Sequence, residues 1–151
     1  MGVNIPLMQY VHHVLMEKGS DVWSVAPSTT VYEALEIMAA RNIGALVVLD
    51  NNKLAGVISE RDYARKLALE GKRSRETPVR EIMTEVVATV SPDHSMKDCM
   101  EVMTSQRVRH LPVLEDEELV GLVSIGDVVK SIMSYQQQMI QQLEAYITGR
   151  V

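Results

Sequence analysis

The stretch GALVVLDNNKLAGVISERD, residues 44–62, indicates the architecture of the chain, because its pattern returns 65 positions later as RHLPVLEDEELVGLVSIGD, residues 109–127. Extending the comparison outward aligns residues 25–67 with residues 90–132 without a gap. Most of the identical pairs are apolar and predict two cores built alike. Two of the identical pairs are polar and follow the end of the second hairpin strand: Ser59 with Ser124, and Asp62 with Asp127. The chain is therefore predicted to contain two copies of one unit of about 50 residues.

Each copy shows the same order of predicted elements: strand, helix, strand, strand, helix. The first helix has apolar side chains at helical spacing. The two apolar runs that follow enclose a polar turn, which predicts a β-hairpin. The predicted ranges in the two copies are, in order, 22–25 and 87–90, 30–41 and 95–107, 45–49 and 111–114, and 54–58 and 119–123, with the last helices starting near Glu60 and Ile125.

The composition is that of an ordinary globular protein, with 151 residues, 46% hydrophobic and 23% charged side chains. A chain of this length can bury a core without disulfides or metals, and its single cysteine cannot form an internal bridge. No apolar run approaches the roughly 20 residues of a membrane helix, and the N-terminal residues lack the pattern of a secretory signal. We therefore expect a cytoplasmic protein with no membrane insertion. The net charge of -5 argues against nucleic-acid binding.

Helical extensions are predicted outside the repeats. Residues 6–18 form an amphipathic pattern that a glycine ends, and the last helix continues with an apolar stripe among glutamines. A stripe that remains after the repeat cores are filled needs a partner surface. The predicted boundaries are 1–20 for the N-terminal helix, 21–71 for the first repeat, 72–80 for a linker, 81–134 for the second repeat and 135–151 for the C-terminal extension.

The Ser-Asp spacing that both copies share has two interpretations. Ser59 with Asp62, and Ser124 with Asp127, have the S-x-x-D spacing of a helix capping box, which needs no ligand. Alternatively, an Asp in the first helical turn, just past a strand end, is placed to accept hydrogen bonds from the vicinal hydroxyls of a ribose. The two interpretations are compatible, and the spacing alone does not separate them.

Four segments carry a family resemblance: VREIMTEVVATVSP (79–92), RVRHLPV (107–113), GVISERDYARKL (56–67) and GLVSIGDVVKSI (121–132). Together with the tandem copies, they resemble a pair of cystathionine-β-synthase (CBS) domains of the stand-alone bacterial and archaeal type. The resemblance implies an α+β fold of two β-α-β-β-α repeats packed about a pseudo-twofold axis. It also implies a regulatory, or Bateman, module that binds adenosine-containing ligands in clefts between the repeats, forms a homodimer and is not an enzyme.

The resemblance assigns roles to residues of both copies. It marks Asp62 and Asp127 as ribose contacts, and it places Arg109 and His110 at phosphate-contacting positions. The alternative interpretation of Arg109 is a surface residue at a strand entrance. Small residues stand at the matching first-copy positions and leave room for an adenine, so we expect two unequal sites. The predicted nucleotide-binding residues are Ser59, Arg61, Asp62, Ser124, Asp127, Gly44, Ala45, Arg109, His110, Thr29 and Thr89.

Residues 60–80 form a basic island, with seven Lys or Arg against four acids. This excess of positive charge predicts either a local anion site or a solvated loop and helix face.

We therefore expect a regulatory protein that binds AMP, ADP, ATP or NAD(H) and signals cellular energy or redox state to a partner protein. The alternative is a ligand-free scaffold for interaction or oligomerisation, in which the Ser and Asp side chains only cap helices. No catalytic residue, metal site or catalytic cofactor is predicted. The sequence has no glycine-rich phosphate loop, the adjacent His12 and His13 do not suit a metal site, and Cys99 fits a buried helix position.

Overall fold

The computed structural model describes residues 9–19, 21–86 and 88–149, and these fall into two compact units. The first-copy unit is residues 21–89, and the second-copy unit joins residues 9–19 to residues 90–149. Both units mix helices with strands, which confirms the predicted α+β class. In chain order the elements are α1 (Val11–Lys18), β1 (Ser24–Val25), α2 (Val31–Arg41), β2 (Ala45–Asp50), β3 (Lys53–Ser59), α3 (Glu60–Asp62), a π-helical segment (Tyr63–Ala68), a 3-10 turn (Val79–Glu81), β4 (Thr84–Glu85), α4 (Met96–Gln106), β5 (His110–Glu115), β6 (Glu118–Ser124) and α5 (Ile125–Ile147).

The strands of the first-copy unit form one sheet in the order β1-β2-β3-β4, with β1 parallel to β2 and the other pairs antiparallel. Strands β2 and β3 form the predicted hairpin, and Asn51 and Asn52 turn the chain with φ angles of 50° and 64°. Two consecutive left-handed residues are typical of a type I′ turn, whose twist matches that of the strands. The buried core includes Val31, Ala34, Leu46, Val48, Ile58, Val79 and Ile82.

The C-terminal end of the predicted linker, residues 72–80, contributes to this core. Val79 is fully buried and Thr77 is also buried. The Val31 amide donates to the Thr77 carbonyl at 2.9 Å, and the Val79 amide donates to the Thr29 carbonyl at 2.7 Å. These bonds fix residues 77–79 beside the start of α2. Burial of the apolar Val79 side chain in the core is more favourable than its exposure to solvent.

In the second-copy unit, β5 and β6 form the other predicted hairpin, with Asp116 and Glu117 as left-handed turn residues. The strand predicted at residues 87–90 is reduced to a parallel bridge between Val90 and Val113, and Val87 lies outside the described residues. A bridge of this kind is the shortened counterpart of the β1-β2 pairing in the first-copy unit, where Val25 pairs with Val48.

Helix α1 begins at Val11, not near residue 6 as the sequence predicts, because Tyr10 adopts an extended conformation as its N-cap. Residues 6–8 lie outside the described part of the chain. The helix ends at Lys18, and Gly19 with a φ of 90° stops it as predicted.

Helix α1 is an integral part of the second-copy unit. The Val11 amide donates to the His94 carbonyl at 2.9 Å, and the Met96 amide donates to the Gln9 carbonyl at 2.9 Å. Val11, Val14 and Leu15 are buried. The helix therefore precedes the first copy in sequence but completes the core of the second.

Two equivalent glycines show what packs on each hairpin. A Cβ atom on Gly56 would lie 2.7 Å from the Thr84 carbonyl oxygen and 2.9 Å from Met83 Sδ. A Cβ atom on Gly121 would lie 2.6 Å from Leu15 Cδ2. In the first-copy unit, the segment around β4 packs against the hairpin at this glycine. In the second-copy unit, α1 packs at the equivalent glycine. Both contacts are so close that only glycine fits without a shift.

Helix α5 has 23 residues and is about 35 Å long. Its buried side chains, Val128 and Ser131, lie in its first third, whereas the later turns are half-buried or exposed. Among the described residues, no helix combines the length and the apolar character needed to cross a membrane.

Candidate functional site: two capped carboxylates

Both predicted capping boxes are present. In the first-copy unit, the Asp62 amide donates to Ser59 Oγ at 3.2 Å and the Ser59 amide donates to Asp62 Oδ2 at 3.0 Å. In the second-copy unit, the Asp127 amide donates to Ser124 Oγ at 3.2 Å and the Ser124 amide donates to Asp127 Oδ2 at 2.8 Å. Each box links the last hairpin strand of its unit to the helix that follows, which fixes the carboxylate in the first helical turn.

A third capping box starts α4, where no ligand residue is predicted. The Ser95 amide donates to Asp98 Oδ2 at 3.0 Å, and the Asp98 amide donates to Ser95 Oγ at 3.0 Å. Hydrogen bonds from the amide and the side chain of Ser95 hold the pKa of Asp98 below its usual value. This box therefore serves as an internal reference for a carboxylate that only caps.

The Asp62 carboxylate is fully engaged by the protein. Beside the Ser59 amide, Oδ2 accepts from Ser59 Oγ at 3.1 Å, and Oδ1 accepts from Thr84 Oγ1 at 3.0 Å and from Lys66 Nζ at 3.1 Å. A carboxylate has about four lone-pair positions, so these four donors satisfy it. Asp62 is also buried, with 7% exposure. A ribose could bind this carboxylate only by displacing one of its present partners.

The Asp127 carboxylate is only partly engaged. Its Oδ2 accepts from the Ser124 amide and from Lys18 Nζ at 2.6 Å, and no described residue donates to Oδ1. The Asp127 side chain is 20% exposed, against 9% for the Asp62 side chain. The two equivalent carboxylates therefore differ, because Asp127 keeps one oxygen available for further hydrogen bonds.

The small first-copy residues lie against the Asp62 turn. The Glu60 amide donates to the Gly44 carbonyl at 3.1 Å, and Ala45 pairs with Ser59 across the hairpin. A Cβ atom on Gly44 would meet only the Glu60 carboxylate, at 3.9 Å, among the described residues. The first-copy site therefore keeps open space beside residue 44.

The basic second-copy residues lie at the equivalent place against the Asp127 turn. The Ile125 amide donates to the Arg109 carbonyl at 2.9 Å, and His110 pairs with Ser124 across the hairpin. Arg109 is exposed and His110 is half-buried. The structure therefore brings four predicted residues of the second copy together at one edge of its hairpin.

Three predicted site residues remain: Arg61, Thr29 and Thr89. Arg61 is exposed on α3 beside Asp62. Thr29 is half-buried, and its Oγ1 accepts from the Ala26 amide at 3.1 Å. Thr89 is exposed next to the Val90 bridge. No described hydrogen bond joins either threonine to Asp62 or Asp127, so their part in a site stays a prediction.

The sequence did not predict Lys18, Lys66 or Thr84 as site residues. Lys66 follows Asp62 by four positions, which on a helix places the two charges side by side and was a usable signal. Lys18 lies 109 positions before Asp127, and no local pattern connects them. Thr84 lies on the two-residue strand β4, which is too short to predict from alternation.

Cys99 is fully buried in α4, which agrees with a structural role. Burial, with a smaller contribution from the Asp98 charge, raises the pKa of its thiol to about 11. At about pH 8 we expect its thiolate fraction, and hence its alkylation by iodoacetamide, to be about 100-fold below that of an unfolded chain. Native and guanidinium-unfolded protein should be compared by mass spectrometry over time. Equal rates in the two states would contradict this assignment.

Comparison with known protein families finds the same family in both copies of the repeat. The family model described as CBS domain matches residues 11–69 and 79–134. CBS domain-containing protein CBSX3, mitochondrial, of Arabidopsis thaliana is 43% identical over 136 residues, which are 87% of this chain and 66% of the relative. CBS domain-containing protein YhcV of Bacillus subtilis is 33% identical over 115 residues, which are 76% of this chain and 81% of the relative.

Solved structures show the same similarity. A protein with CBS domains from Burkholderia ambifaria is 44% identical, with a TM-score of 0.78 over 83% of this chain and 95% of that one. A CBS domain pair solved in complex with 5′-methylthioadenosine and S-adenosyl-L-methionine is 25% identical, with a TM-score of 0.72 over 85% of this chain and 98% of that one.

Proposed function

Because this chain belongs to the CBS domain family as a tandem, regulatory pair of such domains, we propose that it binds an adenine nucleotide and passes its occupancy to a partner protein. The candidate ligands are AMP, ADP, ATP and NAD(H). The adenosine ligands of a similar CBS pair support an adenosine-containing ligand here.

The open oxygen of Asp127 carries the proposal. A ribose presents two vicinal hydroxyls, and a carboxylate with a free oxygen accepts them without breaking a bond of the folded protein. Asp127 meets this condition, whereas Asp62 is satisfied by four protein donors. The proposed nucleotide therefore binds first at Asp127, and the site at Asp62 has lower affinity.

The charges beside Asp127 support a phosphate-bearing ligand. Arg109 is exposed, and its carbonyl accepts from the amide of the first residue of α5, two positions before Asp127. Gly44 stands at the equivalent first-copy position and carries no charge. A guanidinium is a strong partner for phosphate oxygens because it donates two parallel hydrogen bonds. A nucleotide 5′-phosphate is thus favoured at the second copy.

Regulation follows if the nucleotide binds two conformations of the protein unequally. A ligand shifts a conformational equilibrium only by the ratio of its affinities for the two states. Differential affinity is therefore the proposed mechanism of signalling to the partner protein, with no catalytic step.

Replacing Asp127 tests the proposed site. We expect Asp127→Asn to weaken nucleotide binding by roughly 30- to 150-fold, because hydrogen bonds to a charged group contribute about 2–3 kcal/mol. Asn retains an acceptor for the Ser124 amide, so the helix cap survives. Titration calorimetry with AMP, ADP, ATP and NAD, on protein freed of co-purified nucleotide, would measure the dissociation constants.

Two controls separate ligand binding from capping. Asp98→Asn makes the same change in the reference box of α4 and should leave the affinity unchanged. Asp62→Asn should change it by less than about three-fold, since that carboxylate is already satisfied. Unchanged affinity in Asp127→Asn would refute the site, and a folded wild type that binds none of the nucleotides would favour the ligand-free scaffold.

A second copy of this chain is the proposed partner of α5. Val129, Met133, Ile140, Leu143 and Ile147 are between 48% and 80% exposed, and together with Gln136 they alternate at spacings of four and three residues. This is the spacing of a coiled-coil seam. An open groove of about 840 Å³ lies beside it, lined by Val129, Met133 and other residues of α5.

The charge pattern of α5 favours self-association over a charged partner. Residues 131–143 contain no Asp, Glu, Lys or Arg. Two identical helices therefore meet along this seam without like-charge repulsion, and glutamines flank it on both sides. A helix of about 35 Å spans the diameter of a small domain, so a seam of this length supports a homodimer.

A further inference from the structure

Lys18 donates a hydrogen bond to the Asp127 carboxylate. We propose that Lys18 is a second ligand contact, and that it makes the Asp127 site selective for adenosine ligands with negative charge over neutral or cationic ones. This inference rests on the proposed function, because it concerns the nucleotide that Asp127 would bind.

The number of donors that Lys18 has in use supports this role. A lysine ammonium has three N–H donors. Lys18 Nζ donates to Asp127 Oδ2 at 2.6 Å and to the Leu122 carbonyl at 2.8 Å, and no described residue accepts a third bond. The side chain is 38% exposed, so a ligand can reach it from solvent. A free donor therefore stands beside the free oxygen of Asp127.

The equivalent pair in the first-copy unit is closed. Lys66 Nζ contacts Asp62 Oδ1 at 3.1 Å and donates to Thr84 Oγ1 and to the Ile82 carbonyl, both at 3.3 Å. Its three donors are used, although the side chain is about as exposed as that of Lys18. The difference between the two pairs is thus one of unused hydrogen-bonding capacity.

Helix α1 holds Lys18 in position. Leu15, one turn earlier, packs against Gly121, and Val14 is also buried. The bond to the Leu122 carbonyl fixes the ammonium end of the side chain. Because both ends of Lys18 are anchored, its charge is preorganised next to Asp127 and little side-chain entropy remains to be lost on binding.

The charge of Lys18 changes which ligands the site accepts. Without it, the -1 charge of Asp127 would repel the phosphates of a nucleotide bound through its ribose. With it, the carboxylate and ammonium are together neutral, and the spare N–H attracts an anionic oxygen. At a separation of about 6 Å and partial solvent exposure, this difference corresponds to an affinity change on the order of ten-fold for a phosphate-bearing ligand.

Lys18→Met tests the inference, because Met keeps an unbranched apolar stem and removes the charge. Dissociation constants for ADP, adenosine and S-adenosylmethionine should be measured by titration calorimetry on the full chain. We expect ADP to bind about ten-fold more weakly and adenosine to change by less than about two-fold. S-adenosylmethionine, whose sulfonium is cationic, should bind more tightly. Lys18→Arg keeps the charge and should retain the preference for ADP.

A matched variant controls for net charge. Lys97→Met removes one exposed lysine from α4 and should not change the ratio of ADP to adenosine affinity. An unchanged ratio in folded Lys18→Met protein would overturn the role of Lys18 while the nucleotide site stands. Failure of the wild type to bind ADP or adenosine would overturn both.

Discussion

Gly56→Ala is expected to lower the free energy of unfolding by about 3 kcal/mol, which corresponds to a fall of about 10 °C in Tm. The added methyl group would lie 2.7 Å from the Thr84 carbonyl oxygen, which is backbone. Thr84 cannot move away without breaking the pairing of β3 with β4, where Val57 pairs with Thr84. The same shift would pull Thr84 Oγ1 from Asp62, so part of the network around that carboxylate should be lost.

The equivalent glycine provides the control. A methyl group on Gly121 first meets the Leu15 side chain, at 2.6 Å from Cδ2 and 2.8 Å from Cδ1, and not backbone. A side-chain end can rotate away, so Gly121→Ala should cost about 1 kcal/mol or less. Thermal unfolding followed by circular dichroism would compare the two variants. Fluorescence of the single tryptophan, Trp23, which lies under Arg41 at 3.8 Å, reports the first-copy unit. Equal destabilisation by the two changes would contradict the distinction between backbone and side-chain contacts.

Ile140→Lys combined with Ile147→Lys is expected to convert the proposed homodimer into a monomer. Each change places a charge on the α5 seam, where it would lie close to the same charge from the partner copy and lose its water. Light scattering coupled to size-exclusion chromatography should give about twice the chain mass of 16.9 kDa for the wild type. The double variant should elute with the mass of one chain.

A control with the same added charge uses the opposite side of α5. Gln142→Lys combined with Ala145→Lys lies away from the seam and outside the groove beside it, and this variant should remain dimeric. Circular dichroism would show whether α5 stays helical in both variants. A dimeric seam variant would show that the interface lies elsewhere, and a wild type that is monomeric at about 100 µM would refute self-association along α5.

The sequence repeat predicted the two hairpins and the starts of the helices well, because apolar periodicity and the Ser-Asp spacing are local signals. Ser59 and Asp62, for example, form the predicted capping box. The π-helical turn that follows Asp62 was not predicted, since its composition resembles that of the α-helix in the second copy. Val79 was assigned to a linker, yet it is fully buried.

The sequence predicted two unequal sites, but it did not predict that the two carboxylates differ in their hydrogen bonds. The sequence pointed to Arg109 and His110 against Gly44 and Ala45. The structure adds that Thr84 and Lys66 satisfy Asp62, while Asp127 depends on a lysine from another part of the chain. Contacts over such distances arise from the topology of the fold, and a single sequence does not encode them as a local pattern.

The placement of α1 has a consequence for the order of events during synthesis. Residues 21–89 form a contiguous unit, which is complete once they leave the ribosome. Helix α1 is made earlier, but the groups that bind it, such as the Met96 amide and the His94 carbonyl, are made later. At about 5–20 residues per second, completing the chain from residue 89 to 149 takes roughly 3–12 s. During this interval the apolar side of α1 has no partner in its own nascent chain. A neighbouring chain further along in translation could accept it, so exchange of α1 between chains is the misassembly that this topology favours.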